Sequence, residues 1–192
     1  MASITNMDVD VPMMSSIEDG GDLVAAQQKK EFVEVQSAFL GYAKVDYIKM
    51  GTKFGQWNKR SVMSREVQKI LLSFQSEGIQ RFVTRNLVPI VLPKEFVDVK
   101  ALHTTSGTGG DDFPWLKFIG STTEVYAAGG QHRLQALIQL QTELEAKIND
   151  ADEDETDVDQ LKRQLKQVGV WGIAVYDLGE WIILLTIKIS NN

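Results

Sequence analysis

The run AAGGQHRLQAL, residues 127–137, decides how this sequence folds, because there an apolar stretch meets two glycines and then a helical pattern. Just ahead, Glu124–Ala128 (EVYAA) has the composition of a strand. Behind it, Leu134, Leu137, Ile138, Leu144 and Ile148 recur at three- and four-residue spacing among good helix formers. That spacing predicts a helix from Gln131 that frays into an acidic run. Such a junction has a chemical use. Glycines let a ligand approach the backbone, the first turn of a helix has N–H groups without helical partners, and the aligned dipoles favour an anion. His132 and Arg133 add side-chain donors that could orient phosphate oxygens. By spacing alone the run matches neither GxxxxGKS/T nor GxGxxG. A tight strand-to-helix turn with a capping His and a surface Arg accounts for it equally well.

Outward from the junction, Val88–Leu92 (VPIVL) reads as a strand with Pro near its start. Val67, Ile70, Leu71 and Phe74 mark a helix, with Ser64 placed as its N-cap and Gly78 as the glycine that ends it. Val33–Val35 and Lys44–Met50 (KVDYIKM) read as short strands, and Gly51–Gly55 breaks any regular element. Leu161, Leu165 and Val168 predict a short helix, and Val170–Tyr176 (VWGIAVY) an apolar strand. Trp181–Ile189 (WIILLTIKI) reads as a buried strand or helix, far short of the ~20 residues of a membrane span. Trp115, Trp171 and Trp181 are expected in the core. Lys94–Gly120 holds a long Thr- and Gly-rich stretch expected to be a flexible polar loop, with His103 solvated in it.

Charge is distributed unevenly over the 192 residues. Twenty basic against 26 acidic residues give −6, but the first 28 residues carry five acids and no Lys or Arg, and Asp150–Asp159 carries seven more acids. Without those twelve the body is about +6, a balance that accepts a phosphate-bearing ligand. The absence of cysteine excludes disulfides, thiol nucleophiles, iron–sulfur clusters and Cys-ligated zinc, and with an N-terminus unlike a signal peptide it predicts an intracellular protein, cytoplasmic or nuclear. The acidic run lacks the spaced Gly and terminal Glu of an EF-hand and reads as a solvated linker.

The Gly-Gly-Gln-His-Arg run resembles the central motif of the ParB/sulfiredoxin superfamily, and is similar to the DGQHR motif of one of its branches. The order around it agrees. KVDYIKM resembles the family's first strand, the loop ending at Asn58-Lys59-Arg60 its Asn- and Arg-bearing turn, and VPIVL the strand before the motif. The resemblance implies a small α/β (α+β) fold, a mixed sheet with flanking helices, that binds a nucleoside triphosphate, CTP or ATP, with Mg²⁺. Gly129, Gly130, Gln131, His132 and Arg133 would cradle phosphate, with Lys59 and Arg60 approaching from the facing loop. Hydrolysis or phosphoryl transfer would fall to His132 and Arg133, with Glu77 as a base or a magnesium ligand. Gln131 stands where sulfiredoxins have their catalytic Cys, so that reaction is closed to this chain. ParB has Glu-Arg-Arg where this chain has Gln-His-Arg, and its following Ile-Glu-Asn box resembles Ile189–Asn192, which would bring Asn191 to the phosphates.

The domain organisation expected is an acidic tail over 1–25 and one domain over 26–192, with an insertion at 94–120 and an acidic linker at 149–160. Two other functions fit the same resemblance. One is a DNA-associated ParB-like protein, a nuclease or a nucleotide-dependent clamp, although no helix-turn-helix is visible. The other is a non-catalytic interaction module. The partners implied are the nucleotide, DNA in the clamp reading, and a second copy of the chain in a homodimer, with no membrane.

Overall fold

The structure is a computed structural model and describes residues 36–55, 61–105, 113–121, 124–151 and 157–183, all within one unit that spans Val35–Asn192. The tail over 1–25 and the expected strand Val33–Val35 lie outside the described residues. The elements are β1 (Phe39–Asp46), β2 (Lys53–Phe54), α1 (Ser64–Glu77), β3 (Val88–Leu92), β4 (Tyr126–Ala127), α2 (Gln131–Asp150), α3 (Asp157–Gln167) and β5 (Val170–Asp177). The strands form one mixed sheet in the order β1-β5-β3-β4-β2. The expected mixed sheet with helices is thus present.

Composition explains the strand positions. β5 lies between β1, to which it is antiparallel, and β3, to which it is parallel. Val88, Ile90, Val91 and Leu92 of β3 and Trp171, Ile173 and Val175 of β5 are all buried, as suits strands covered on both faces. β1 alternates instead, burying Gly41, Ala43 and Val45 while the residues between them are only partly covered. Its free edge is closed by the segment expected to be a flexible insertion. The N–H groups of Tyr42 and Lys44 donate to the carbonyls of His103 (2.7 Å) and Pro114 (2.8 Å), and Leu116 N–H donates back to Lys44 (2.9 Å). A covered edge cannot template pairing with another chain. The described parts of the insertion carry short 3-10 turns at Lys94–Phe96 and Val99–Ala101, and His103 is exposed, as expected.

Several local boundaries differ from the sequence expectation. The strand expected over Lys44–Met50 turns at Asp46, because its carboxylate accepts the N–H of Lys49 (3.2 Å) and its carbonyl that of Met50 (2.9 Å). Between Gly51 and Gly55, where a break was expected, Lys53 and Phe54 add a two-residue strand parallel to β4. Helix α1 begins at Ser64 rather than being capped by it, and its N-cap Met63 supplies no side-chain bond. Gly78 ends it with φ +74°, a conformation that favours glycine. Trp171 is core, 1% exposed, but Trp115 is 51% exposed, with Lys44 lying over its ring at 5.7 Å. Residues 181–183 are helical; Trp181, expected in the core, is only partly buried, with its ring 5.2 Å from that of Tyr176, and Ile182 and Ile183 are about half exposed. This part of Trp181–Ile189 is therefore not the buried element expected, while 184–189 lie outside the described residues.

Helix α2 packs on the sheet through Leu137 and Leu144 and on α1 through Ala136, which meets Val67 and Leu71. Its apolar spacing predicted that face. Among the described residues no helix is long and apolar enough to cross a membrane.

Candidate functional site

β4 leads straight into the glycine pair. Ala128 N–H donates to the Pro89 carbonyl at 2.9 Å, which carries the pairing with β3 one residue past the strand. Gly130 then takes φ +89° and serves as the N-cap of α2, its carbonyl accepting the first helical bond from Leu134 N–H at 2.9 Å. Beneath the turn lies Tyr47, fully buried, whose hydroxyl is 3.5 Å from the Gly129 carbonyl. A Cβ on Gly130 would stand 3.1 Å from that hydroxyl oxygen and 3.2 Å from a Val88 methyl, whereas one on Gly129 would meet nothing within 4 Å. The two glycines therefore have different reasons to be glycine. Gly130 is required by backbone and packing, while Gly129 leaves open space at the helix start.

His132 and Arg133 leave this turn for different neighbours. His132 Nε2 accepts the N–H of Met63 at 3.1 Å and so ties the start of α2 to the start of α1. In that bond Nε2 carries no proton. Arg133 reaches the other way: Nη1 donates to the Asn86 carbonyl at 2.7 Å, and the guanidinium lies 5.0 Å from the centre of the Trp171 ring. Trp171 Nε1 donates to the same carbonyl at 2.8 Å, so one acceptor just before β3 holds both side chains. Phe74 of α1 backs Trp171 at 6.0 Å between ring centres.

Burial sets the electrostatics. It pulls the Arg133 pKa below its ordinary value, opposed by the Tyr47 hydroxyl, and it pushes the Tyr47 pKa well above the ordinary phenol range, opposed by Arg133. Arg133 remains a cation at neutral pH. For Tyr47 the folded state holds the phenolic proton more tightly than the unfolded chain, so its stabilising contribution is complete below about pH 10 and is lost as pH rises above it. In urea melts from pH 9 to 12, Tyr47→Phe is expected to be about 1.4 kcal/mol per pH unit less alkali-sensitive than wild type above about pH 10. Parallel curves for the two proteins would contradict this.

Arg133 lines a cleft of about 250 Å³ between α1 and the 84–86 turn. Lys69 and Arg85 also line it, and so do Glu66 and Glu77. Lys69 is paired with Glu66 at 2.7 Å, a bond that lowers the Glu66 pKa, and Arg85 Nη2 donates to Gln80 Oε1 at 3.3 Å. Three cations against two carboxylates leave a net positive lining. Ile70, Phe74 and Trp171 supply its apolar surface.

The structure thus brings Arg133 and Glu77 of the sequence-derived set to one cleft. His132 lies beside it on Met63, and Gly129, Gly130 and Gln131 form the turn and helix start. Lys59, Arg60 and Asn191 lie outside the described residues. Sequence reading missed Lys69, Asn86 and Tyr47. Lys69 had a usable signal, since Glu66, Lys69, Ser73 and Glu77 follow one another at three- and four-residue steps along one face of α1. Asn86 and Tyr47 had none, because their part depends on contacts distant in sequence.

No protein-family model, no curated protein and no solved structure matches this chain.

Proposed function

We propose that this chain is a ParB/sulfiredoxin-like domain that binds a nucleoside triphosphate, CTP or ATP, with the phosphates in the cleft between α1 and the 84–86 turn that Arg133 enters from the start of α2. The observation that carries the proposal is the convergence of Arg133, delivered by the glycine turn, with Lys69 and Arg85 on one cleft. At about 250 Å³ the cleft is smaller than the ~300–1,000 Å³ of pockets that enclose drug-sized ligands. It suits a phosphate chain, with the nucleoside lying beyond it.

Magnesium fits such a site through few protein groups, since it is usually held by one or two carboxylates together with substrate phosphates. Glu77 is the carboxylate that would hold it here, because Glu66 is engaged with Lys69. The ion would neutralise charge on the phosphate oxygens. Arg133 and Arg85 would orient those oxygens through charge-assisted hydrogen bonds, and their positions are set in advance by Asn86 and Gln80. His132 would act indirectly, by keeping α1 and its Lys69 in register with α2. Hydrolysis or phosphoryl transfer in such a site would rest on positioning and charge neutralisation.

Titration calorimetry with ATP, CTP, GTP and UTP, each with Mg²⁺, tests the proposal on wild type and on Arg133→Ala whose folding is verified by its thermal melt. Saturable binding of at least one nucleotide is expected, weakened about ten- to a hundredfold in the variant by loss of a charged hydrogen-bonding contact. Failure of all four to bind wild type, or equal binding by the variant, would overturn it.

A further inference from the structure

Helix α1 turns one face toward the cleft that Arg133 enters. Glu66, Lys69, Ile70, Ser73, Phe74 and Glu77 follow one another on it at three- and four-residue steps, or side by side, and all line the cleft. Ser73 carries the one hydroxyl among the described residues of that lining. It is partly buried, one turn beyond Lys69 and one turn before Glu77. Arg85 and Arg133 face the same space from the 84–86 turn and the start of α2. Ser76, three residues on, offers an internal comparison. It is exposed and lies outside the cleft lining, and its hydroxyl donates back to the Ser73 carbonyl at 3.5 Å.

We propose that Ser73 is the phosphoryl acceptor of this cleft, so that the chain phosphorylates itself there; the inference rests on the reading of the cleft as a nucleotide site. A terminal phosphate held among Lys69, Arg85 and Arg133 shares the cleft with the Ser73 hydroxyl. A hydroxyl fixed beside the phosphorus outcompetes water through its high effective concentration. In the transfer, the Ser73 oxygen bonds to the terminal phosphorus while the bond from that phosphorus to its bridging oxygen breaks. The nucleoside diphosphate leaves with the electron pair, and the hydroxyl proton passes to solvent water. Positioning and charge neutralisation carry such a step. The lining also matches the product. Phosphoserine has a charge of about −1.5 to −2 and strong acceptor oxygens, and the net positive lining supplies charge-assisted donors to them. The new phosphate would take the place of the terminal phosphate of the nucleotide, so the modification limits itself.

The test incubates the full chain with Mg²⁺ and each of ATP, CTP, GTP and UTP labelled in the terminal phosphate, and maps the label by mass spectrometry of peptides. Nucleotide binding is measured by calorimetry on the same samples. Label is expected on Ser73, at a rate independent of chain concentration and slowed at least about tenfold by Arg133→Ala. Ser73→Ala should abolish labelling and Ser76→Ala should leave its rate unchanged, with thermal melts verifying each fold; peptide mapping of wild type decides the matter if Ser73→Ala fails to fold. A chain that binds nucleotide and carries no label on Ser73 would overturn this proposal and leave the nucleotide reading standing. Failure of all four nucleotides to bind would overturn both. Label centred on another residue, label undiminished in Ser73→Ala or Arg133→Ala, or a rate proportional to chain concentration, as transfer between copies requires, would also refute it.

Discussion

Trp171→Ala is expected to cost about 3–5 kcal/mol of stability, read as a lowered urea midpoint, because it removes a large side chain from the middle of the sheet. The indole is 1% exposed, contacts Phe74 at 6.0 Å and lies under the Arg133 guanidinium at 5.0 Å. Its Nε1 shares the Asn86 carbonyl with Arg133. Deleting it therefore opens a cavity and frees Arg133 from its stack. Trp171→Phe separates the two contributions. It keeps most of the apolar volume and loses the hydrogen bond, whose acceptor remains satisfied by Arg133, so a cost nearer 1 kcal/mol is expected for the bond itself. If Trp171→Ala stayed within 1 kcal/mol of wild type, the arrangement of Trp171 and Arg133 about Asn86 would be wrong.

The two glycines of the central run should respond very differently to alanine. Gly130→Ala places an L residue at φ +89°, which costs roughly 1–2 kcal/mol. It also drives a methyl group against the Tyr47 hydroxyl and the Val88 methyls at 3.1–3.3 Å, both residues being fully buried, and overpacking of that kind adds about 1–3 kcal/mol. A total of about 2–5 kcal/mol is expected in urea melts. Gly129→Ala meets open space and should change stability by no more than about 0.5 kcal/mol. Should the nucleotide approach the backbone at this turn, Gly129→Ala would weaken binding without weakening the fold. Equal losses of stability in the two variants would refute the distinction drawn here.

How much of this could be read in advance varied from element to element. Periodicity located α1, α2 and α3, and unbroken apolar composition located β3 and β5, because each pattern is imposed by burial of a single element. The glycine turn was equally legible as a local event, a strand that must stop and a helix that must start. The end of β1 was not: Asp46, through its own carboxylate and carbonyl, turns a run that composition alone would have kept extended. Trp115 illustrates the same limit. Its apolar type predicted the core, but its segment lies along the edge of β1 and leaves the ring half exposed beside Lys44.

At the candidate site the division is sharper. The residues of Gly129–Arg133 marked themselves by type and spacing, but nothing in that spacing says where His132 and Arg133 point. Helix geometry turns successive side chains by about 100°, so adjacent residues serve different neighbours. One reaches the Met63 N–H and the other the Asn86 carbonyl.

By itself the sequence determined the helices, the central strands and the strand–glycine–helix junction, since each follows from the local steric and hydrophobic preferences of a few adjacent residues. Only the tertiary structure decided that Arg133 shares a cleft with Lys69, Arg85 and Glu77, and that Asn86 and Trp171 hold it there. Those partners are separated along the chain by other elements, and close packing of α1, α2 and the sheet is what brings them within hydrogen-bonding range.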